Sequence, residues 1–228
     1  RGQRGGGDFL GNDDLLSRVP FVTEGAVAHY SFYVPHDVRG LMSAMGGRDS
    51  LSLRLDRLFA LHTTDTTSLS TGRMAYWHGN EPCHHIAYLY AWTGEPWKTQ
   101  FLVHEILRTE YLDEPGGLSG NDDAGQMSAW QAFGMMGFYP VCPGTPYYIL
   151  GTPAFDRLRL GRFELEAVDV SDENIYIQSA TWNGQPYDRA YITHDMLSRG
   201  GRLVLTMGRR PNKRWGCSPS ALPPDTAR

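Results

Sequence analysis

The chain has 228 residues, of which 41% are hydrophobic, 12% aromatic and 20% charged, and its formal net charge is −4. This apolar content supplies one large core or two modest ones and excludes wholesale disorder. The acidic balance argues against a protein that binds nucleic acid or an anionic membrane, and no apolar run approaches the roughly 20 residues of a membrane-spanning helix.

The first residues and the cysteines leave the cellular compartment open. The sequence begins at Arg1, and residues 1–7 lack the apolar segment of a secretory signal, so we interpret it as a piece of a longer chain. Cys83, Cys142 and Cys217 form no C-x-x-C pair, which favours neither a disulfide framework nor a standard zinc site. A secreted or cell-surface location is compatible with these features.

The first 140 residues predict helices and loops. Residues 1–23 are rich in Gly and Asp and indicate a loop. A helical stretch over 27–45 contains Pro35, which should kink or end it near Val34. The segment 124–138 is apolar nearly all round, and we expect it to be buried on most sides. The remaining predictions are helices over 50–61, 82–92 and 96–111 and a Thr- and Ser-rich loop over 62–73.

Beyond Pro140 the sequence changes to short β-branched or aromatic runs separated by turn residues. The Asn183-Gly184 pair is the strongest hairpin signal in the chain. About five helices followed by about five strands indicate an α+β fold. Three Pro residues after position 217 predict a disordered tail over 218–228. The strands are predicted over 147–150, 157–160, 163–170, 175–181 and 203–207.

Two polar clusters stand at predicted helix starts, over 77–85 and 120–126. Capping of the unpaired N–H groups is the alternative interpretation of each cluster. Carboxylate and amide oxygens are the ligands that calcium prefers, whereas the His and Cys spacing at 78–85 fits no standard zinc pattern. The oxygen-bearing candidates are Asn80, Glu81, Asn121, Asp122 and Asp123, and the disfavoured zinc ligands are His78, Cys83, His84 and His85.

Glu24 is a third acidic candidate, placed just before a helix, although a solvated turn is the more common role of a lone Glu. A glycosidase needs two carboxyl groups on either side of the scissile bond. Aromatic side chains could stack on sugar faces, but at helical spacing they more often belong to the core. The aromatic candidates are Tyr30, Trp77, Tyr88, Trp92, Trp97 and Trp130.

Three segments of the chain together resemble glycoside hydrolase family 92, the calcium-dependent exo-acting α-mannosidases. The first is Glu-Gly at 24–25 with Val-Pro-His-Asp-Val at 34–38. The second is His-Gly-Asn-Glu-Pro at 78–82 with Gly-Glu-Pro-Trp-Lys-Thr-Gln at 94–100. The third begins as Gly-Asn-Asp-Asp-Ala-Gly-Gln at 120–126 and continues through Gly-Phe-Tyr-Pro-Val at 137–141. The resemblance extends to Trp215.

The resemblance implies hydrolysis of terminal α-linked mannose with inversion. It implies that Glu24 is the general acid and Asp123 the general base, with Asp122 as a helper or second candidate. It implies a calcium ion that contacts the mannose hydroxyls. The calcium ligands implied are Asn80, Glu81 and Asp123. The substrate contacts implied are Tyr76, Trp77 and His78.

Family members are several times longer and contain an N-terminal β-sandwich and a twelve-helix (α/α)6 barrel. The resemblance therefore implies that residues 1–140 are an incomplete, C-terminal barrel segment and that residues 141–217 form a mostly antiparallel β-rich region. It also implies a mannose-containing glycan as substrate and the missing β-sandwich as an intramolecular partner. We expect the chain alone to be nearly inactive. The alternatives are a fragment that only binds calcium or carbohydrate, and a structural helical domain.

Overall fold

The computed structural model describes residues 22–59 and 76–224. Helices precede most of the strands, and no described helix is long and apolar enough to cross a membrane. The α-helices in these residues are α1 Val27–Ser31, α2 Val38–Ala44, α3 Arg48–Leu58, α4 Tyr90–Thr93, α5 Pro96–Thr109, α6 Gln126–Met136 and α7 His194–Arg199. The strands are β1 Phe138–Tyr139, β2 Tyr147–Leu150, β3 Arg157–Leu160, β4 Phe163–Val168, β5 Tyr176–Trp182, β6 Gln185–Pro186, β7 Tyr191–Thr193 and β8 Gly201–Gly208.

The predicted kink at Pro35 is a complete break between α1 and α2. Helix α2 starts after Asp37, whose side chain accepts a hydrogen bond from the Gly40 N–H at 2.7 Å. Helix α3 buries one face, as its spacing predicts, with Leu51 and Leu55 fully buried. The loop predicted over 62–73 lies outside the described residues.

The helix predicted over 82–92 is wrong in type. The chain there forms two 3₁₀ turns, Glu81–Cys83 and Ile86–Tyr88, followed by the single turn of α4. Its backbone bonds run from residue i+3 to residue i, as in the bond from the Cys83 N–H to the Asn80 carbonyl. Because nearly every side chain in this segment is buried, tertiary packing sets its path rather than helix propensity.

Helix α6 is less buried than its composition predicts. Met127 and Trp130 are fully buried, but Ser128, Ala129 and Ala132 are exposed. The expectation of burial on most sides is therefore wrong for the described structure. The helix has one buried face and one exposed face, and the apolar residues on the exposed face are small.

Two sheets follow, in agreement with the predicted α+β class. One has the order β1-β2-β7, and the other has the order β3-β4-β8-β5-β6. All pairs are antiparallel except β4 with β8, so the mostly antiparallel prediction holds in the described residues. The predicted hairpin is confirmed, because Asn183 and Gly184 have φ of 49° and 79° and connect β5 to β6.

Two hydrophobic clusters fill the interior. The first surrounds the 3₁₀ turns and includes Leu51, Leu89, Leu102 and Trp130. The second lies on the inner face of the larger sheet and includes Phe163, Leu203 and Leu205. We name them the helical core and the sheet core.

The predicted disordered tail is ordered through residue 224. Ala221 is 1% exposed, and its carbonyl accepts a hydrogen bond of 3.0 Å from the Ala190 N–H. The Arg39 guanidinium donates to the Pro223 carbonyl at 3.1 Å. The tail prediction failed because Ala221 and Leu222 supply apolar contact with the body of the chain, whereas residues 225–228 lie outside the described residues.

Candidate active site

The two polar clusters of the sequence meet at a crossing of two glycines. A Cβ atom on Gly79 would lie 2.6 Å from the Ser119 carbonyl oxygen, and one on Gly120 would lie 2.6 Å from the Gly79 carbonyl oxygen. Backbones can approach this closely only where neither residue has a side chain. The crossing therefore brings the loop before Glu81 against the loop before Asp123. We call residues 78–81 and 119–125 the carboxylate loops.

Three carboxyl groups converge at these loops. The pKa of Glu81 is raised, chiefly by a hydrogen bond with the Asp123 side chain, while a backbone hydrogen bond opposes the rise. Burial and the negative charges of Asp123 and Glu24 raise the pKa of Glu81 further. Two carboxyl groups can hydrogen-bond each other only when one carries a proton. The side chains of Glu81 and Asp123 therefore lie close together, and the charge of Glu24 acts on Glu81.

Glu24 is attached to the second cluster through Asn80. The Asn80 amide donates a hydrogen bond of 2.9 Å to the Glu24 carbonyl, and Glu24 has a left-handed φ of 55°. The residues that follow Glu24 and Gly25 are Ala-Val-Ala-His-Tyr over 26–30. Here the Tyr30 hydroxyl donates to the Thr23 carbonyl on the other side of Glu24. Contacts to both sides thus fix the backbone of Glu24.

The two adjacent Asp residues have different surroundings. The Asp122 carboxylate accepts hydrogen bonds from the N–H and the hydroxyl of Ser128, both at 2.9 Å, at the beginning of α6. Asp123 is exposed and has a left-handed φ of 47°. Capping, the alternative interpretation of these acidic residues, therefore describes Asp122, whereas Asp123 faces Glu81.

Two of the three predicted substrate contacts lie beneath the loop surface. His78 is 1% exposed, and its ring nitrogens bond to the hydroxyls of Tyr76 at 2.8 Å and Tyr111 at 2.7 Å. Burial, with a contribution from His84, holds the pKa of His78 well below its usual value. His78 and Tyr76 therefore support the loop from inside, and their contact with substrate stays a prediction. Trp77 is partly exposed.

The remaining zinc candidates also serve as internal supports. His85 bonds to the Phe32 carbonyl at 2.8 Å, and burial lowers its pKa to about 4. Burial raises the pKa of the Cys83 thiol to about 12, which opposes the thiolate that zinc requires. Among the described residues, no three His, Cys, Asp or Glu side chains form a group that could hold a metal ion. The zinc interpretation thus stays disfavoured on the ligand spacing of the sequence.

Three of the six aromatic candidates are buried in the core. Tyr88, Trp92 and Trp130 are at most 2% exposed, and Trp130 stacks on Tyr111 with ring centroids 5.8 Å apart. These rings cannot stack on a sugar without rearrangement. Tyr30 is 37% exposed and remains accessible.

Sequence reasoning missed two residues that connect the carboxylate loops. The Gln126 amide bonds to Nδ1 of His84 at 3.1 Å and also to the Tyr139 hydroxyl. Tyr111 joins His78 to α6 by donating to the Met127 carbonyl at 3.1 Å. Gln126 lies inside a recognised motif, so its position was a signal, whereas nothing in the sequence around Tyr111 distinguished it.

The donor set at the carboxylate loops fits a hard cation better than a soft one. Glu81 and Asp123 carry carboxylate oxygens, and Asn80, next to Glu81 in the chain, carries an amide oxygen. Because the Asp123 side chain raises the pKa of Glu81, a proton or a cation would relieve the repulsion between the two carboxyl groups. Calcium takes six to eight oxygen ligands, so these residues would provide part of its coordination and leave positions for water or sugar hydroxyls.

Comparison with known proteins connects this arrangement to one family. A sequence profile of the glycosyl hydrolase family 92 catalytic domain matches residues 3–209. An uncharacterized secreted glycosidase of Arthroderma benhamiae is 32% identical over 218 residues, which are 92% of this chain and 26% of that protein.

Solved structures give the same result. A family GH92 α-mannosidase of Bacteroides thetaiotaomicron has a TM-score of 0.79 and 40% identity, covering 91% of this chain and 29% of its own. A family GH92 inverting mannosidase of the same organism has a TM-score of 0.80 and 37% identity, covering 90% of this chain and 30% of its own. The chain thus spans less than a third of these relatives. It belongs to glycosyl hydrolase family 92, as the resemblance predicted.

Proposed function

We propose that this chain carries the acid, the base and part of the calcium site of an α-mannosidase that inverts the anomeric centre. The observation that carries the proposal is the convergence of Glu24, Glu81 and Asp123 from three separate segments. Ionised carboxyl groups repel one another, so bringing three of them together lowers the stability of the fold. A catalytic role accounts for this cost, and the chain belongs to a glycosidase family.

The proposed roles follow from the surroundings of each group. Glu24 protonates the leaving oxygen, and Asp123 removes a proton from the attacking water on the opposite face of the sugar. Inversion requires these two carboxyl groups to be about 6.5–9.5 Å apart so that the water fits. Asn80, Glu81 and Asp123 would hold calcium, which supplies positive charge beside the sugar hydroxyls. Trp77, at the edge of the same loop, is the remaining candidate for substrate contact.

The rest of the active site belongs to sequence outside this chain. The relatives are more than three times as long as the part that this chain matches. We propose that α1 to α6 form one part of an (α/α)6 barrel and that a β-sandwich completes the cleft over a mannose-containing glycan. The exposed face of α6 agrees with a helix that has a further neighbour. On this proposal the chain alone is inactive or nearly so.

A second candidate is a fragment that binds calcium or carbohydrate without turnover. The short coverage of the relatives favours it, because the carboxyl groups could be retained while one wall of the cleft is absent. Calorimetry with calcium and mannose, run beside a turnover assay on the 228-residue chain, separates the two. Binding without turnover in the chain supports this candidate only if the completed protein is also inactive.

The decisive experiment places this chain in a complete protein. The matching segment of the Bacteroides thetaiotaomicron α-mannosidase is replaced by this chain, and proton NMR follows the sugar first released from an α-mannoside. We expect β-mannose. Asp123→Asn should lower kcat by about 10²- to 10⁴-fold on all substrates, whereas Glu24→Gln should be substantially rescued by an activated aryl mannoside. Release of α-mannose, or a reversed rescue pattern, would contradict the proposed roles.

A further inference from the structure

We propose that Asp122 is a positioning residue, which fixes the direction of the neighbouring Asp123 through the backbone. The inference rests on the proposed function, in which Asp123 is the base. The sequence suggested Asp122 as a helper or second candidate base, and the proposal instead gives it the role of holding Asp123 in position. The proposal follows from four hydrogen bonds to Asp122 and from the conformation of the three residues after it.

All four hydrogen bonds end on Asp122. Its side-chain oxygen accepts from the N–H and the hydroxyl of Ser128 at 2.9 Å each. Its carbonyl oxygen accepts from the N–H groups of Gly125 and Met127 at 3.2 Å each. Ser128 is the third residue of α6, an 11-residue helix, so the carboxylate also lies where the helix dipole favours a negative charge. Asp122 is thereby attached to α6 at both its backbone and its side chain.

The chain between these attachment points adopts an unusual conformation. Asp123, Ala124 and Gly125 have φ of 47°, 58° and 94°, which places three consecutive residues in the left-handed region. Residues with a Cβ atom rarely adopt this conformation, and they keep it only where the surrounding structure imposes it. The bonds from Gly125 and Met127 back to Asp122 provide that constraint. The tight left-handed turn thus places the Asp123 side chain within reach of Glu81.

The surroundings of Asp122 suit an anchor rather than a base. The anchor needs an acceptor oxygen aimed at Ser128, whereas a base needs an ionised oxygen free to take a proton from water. An Asn side chain retains the acceptor oxygen and removes the basic group. Asp122→Asn should therefore preserve the turn, and Asp122→Ala should release it. This pair of variants separates the two roles without depending on whether the chain turns over a substrate.

The test measures the turn directly on the 228-residue chain. Backbone ¹³C and ¹⁵N chemical shifts report the φ of Asp123 and Ala124 in the unmodified chain and in each variant. We expect Asp122→Asn to keep the left-handed shifts and Asp122→Ala to lose them. Thr193→Ala is the matched control, because it removes the side-chain cap of α7 at the Met196 N–H, in the other part of the chain. It should leave both shifts unchanged.

Calcium titration by calorimetry tests whether the left-handed turn at 123–125 affects calcium binding at the carboxylate loops. We expect the affinity of Asp122→Ala to fall at least tenfold and that of Asp122→Asn to stay within threefold of the unmodified chain. Retention of the left-handed shifts in Asp122→Ala would overturn the proposal, as would equal losses of affinity in the two variants. If the unmodified chain does not bind calcium, the chemical shifts alone decide whether Asp122 holds the turn, and the calcium role is tested in the completed protein instead.

Discussion

The five-stranded sheet and the carboxylate loops are held together in different ways. Along β8, Leu203, Leu205 and Met207 point into the sheet core while Arg202 and Thr206 are exposed, so the strand's own alternation determines which face is buried. The carboxylate loops have no such alternation. They are positioned by a glycine crossing, a left-handed turn and buried histidines. A periodic pattern is sufficient for the sheet, whereas the site depends on single contacts between distant segments.

The largest expected effect is a loss of stability in the larger sheet that leaves the carboxylate loops unchanged. Leu205→Ala should lower the free energy of unfolding by about 2–5 kcal/mol, because it leaves a cavity in the sheet core at a fully buried position. Calcium affinity of the molecules that remain folded should be unchanged. Urea unfolding and calorimetry measure the two quantities. Thr206→Ala, at an exposed position of the same strand, is the control and should stay within about 0.5 kcal/mol.

A loss of calcium affinity in folded Leu205→Ala protein would contradict this separation. It would mean that the sheet and the carboxylate loops respond as one unit. The comparison between the two regions would then describe their sequences but not their energetics.

The next expected effect is a joint loss of stability and of calcium binding. Gly120→Ala should cost about 1–3 kcal/mol, because its Cβ atom would lie 2.6 Å from the Gly79 carbonyl oxygen and rigid backbone would have to move. Separation of the carboxylate loops should also abolish calcium binding. Gly116→Ala is the matched control, since an added Cβ atom there meets nothing within 4 Å. Calcium binding that survives in Gly120→Ala would show that the crossing does not position the carboxyl groups.

The same contrast explains how much could be predicted from the sequence. The strands of the larger sheet and the hairpin at Asn183-Gly184 follow from local alternation and turn chemistry, and the structure confirms them. The segment 82–92 and the open face of α6 were predicted wrongly, because composition alone does not reveal which neighbours a segment has.

The site was predicted in part, and mainly through resemblance. The motifs placed Glu24, Glu81 and Asp123 together, and the structure brings these groups within range of one another. Nothing in the local sequence indicates that Gly79 crosses Gly120, because that contact joins segments about 40 residues apart. Burial of His78 could not be predicted either, since a His in a polar cluster suggests a surface ligand.

The last expected effect is the dependence of stability on pH that comes from a buried histidine. His85, packed beside the helical core, has a pKa lowered to about 4 by burial. A His whose folded pKa lies below its unfolded value of about 6.5 binds its proton more readily when unfolded. The stability from neutral His85 is complete above pH 6.5 and is lost as the pH falls towards 4. The loss should be on the order of 2 kcal/mol between pH 7 and pH 5.

Urea unfolding at a series of pH values measures this loss, and His85→Gln provides the comparison. The Gln amide can donate to the Phe32 carbonyl in place of the imidazole but does not titrate, so its profile should be flatter by about the same 2 kcal/mol. His78 and His84 have lowered pKa values for the same reason and keep part of the slope in the variant. Equal slopes in His85→Gln and the unmodified chain would show that the loss of stability in acid does not come from His85.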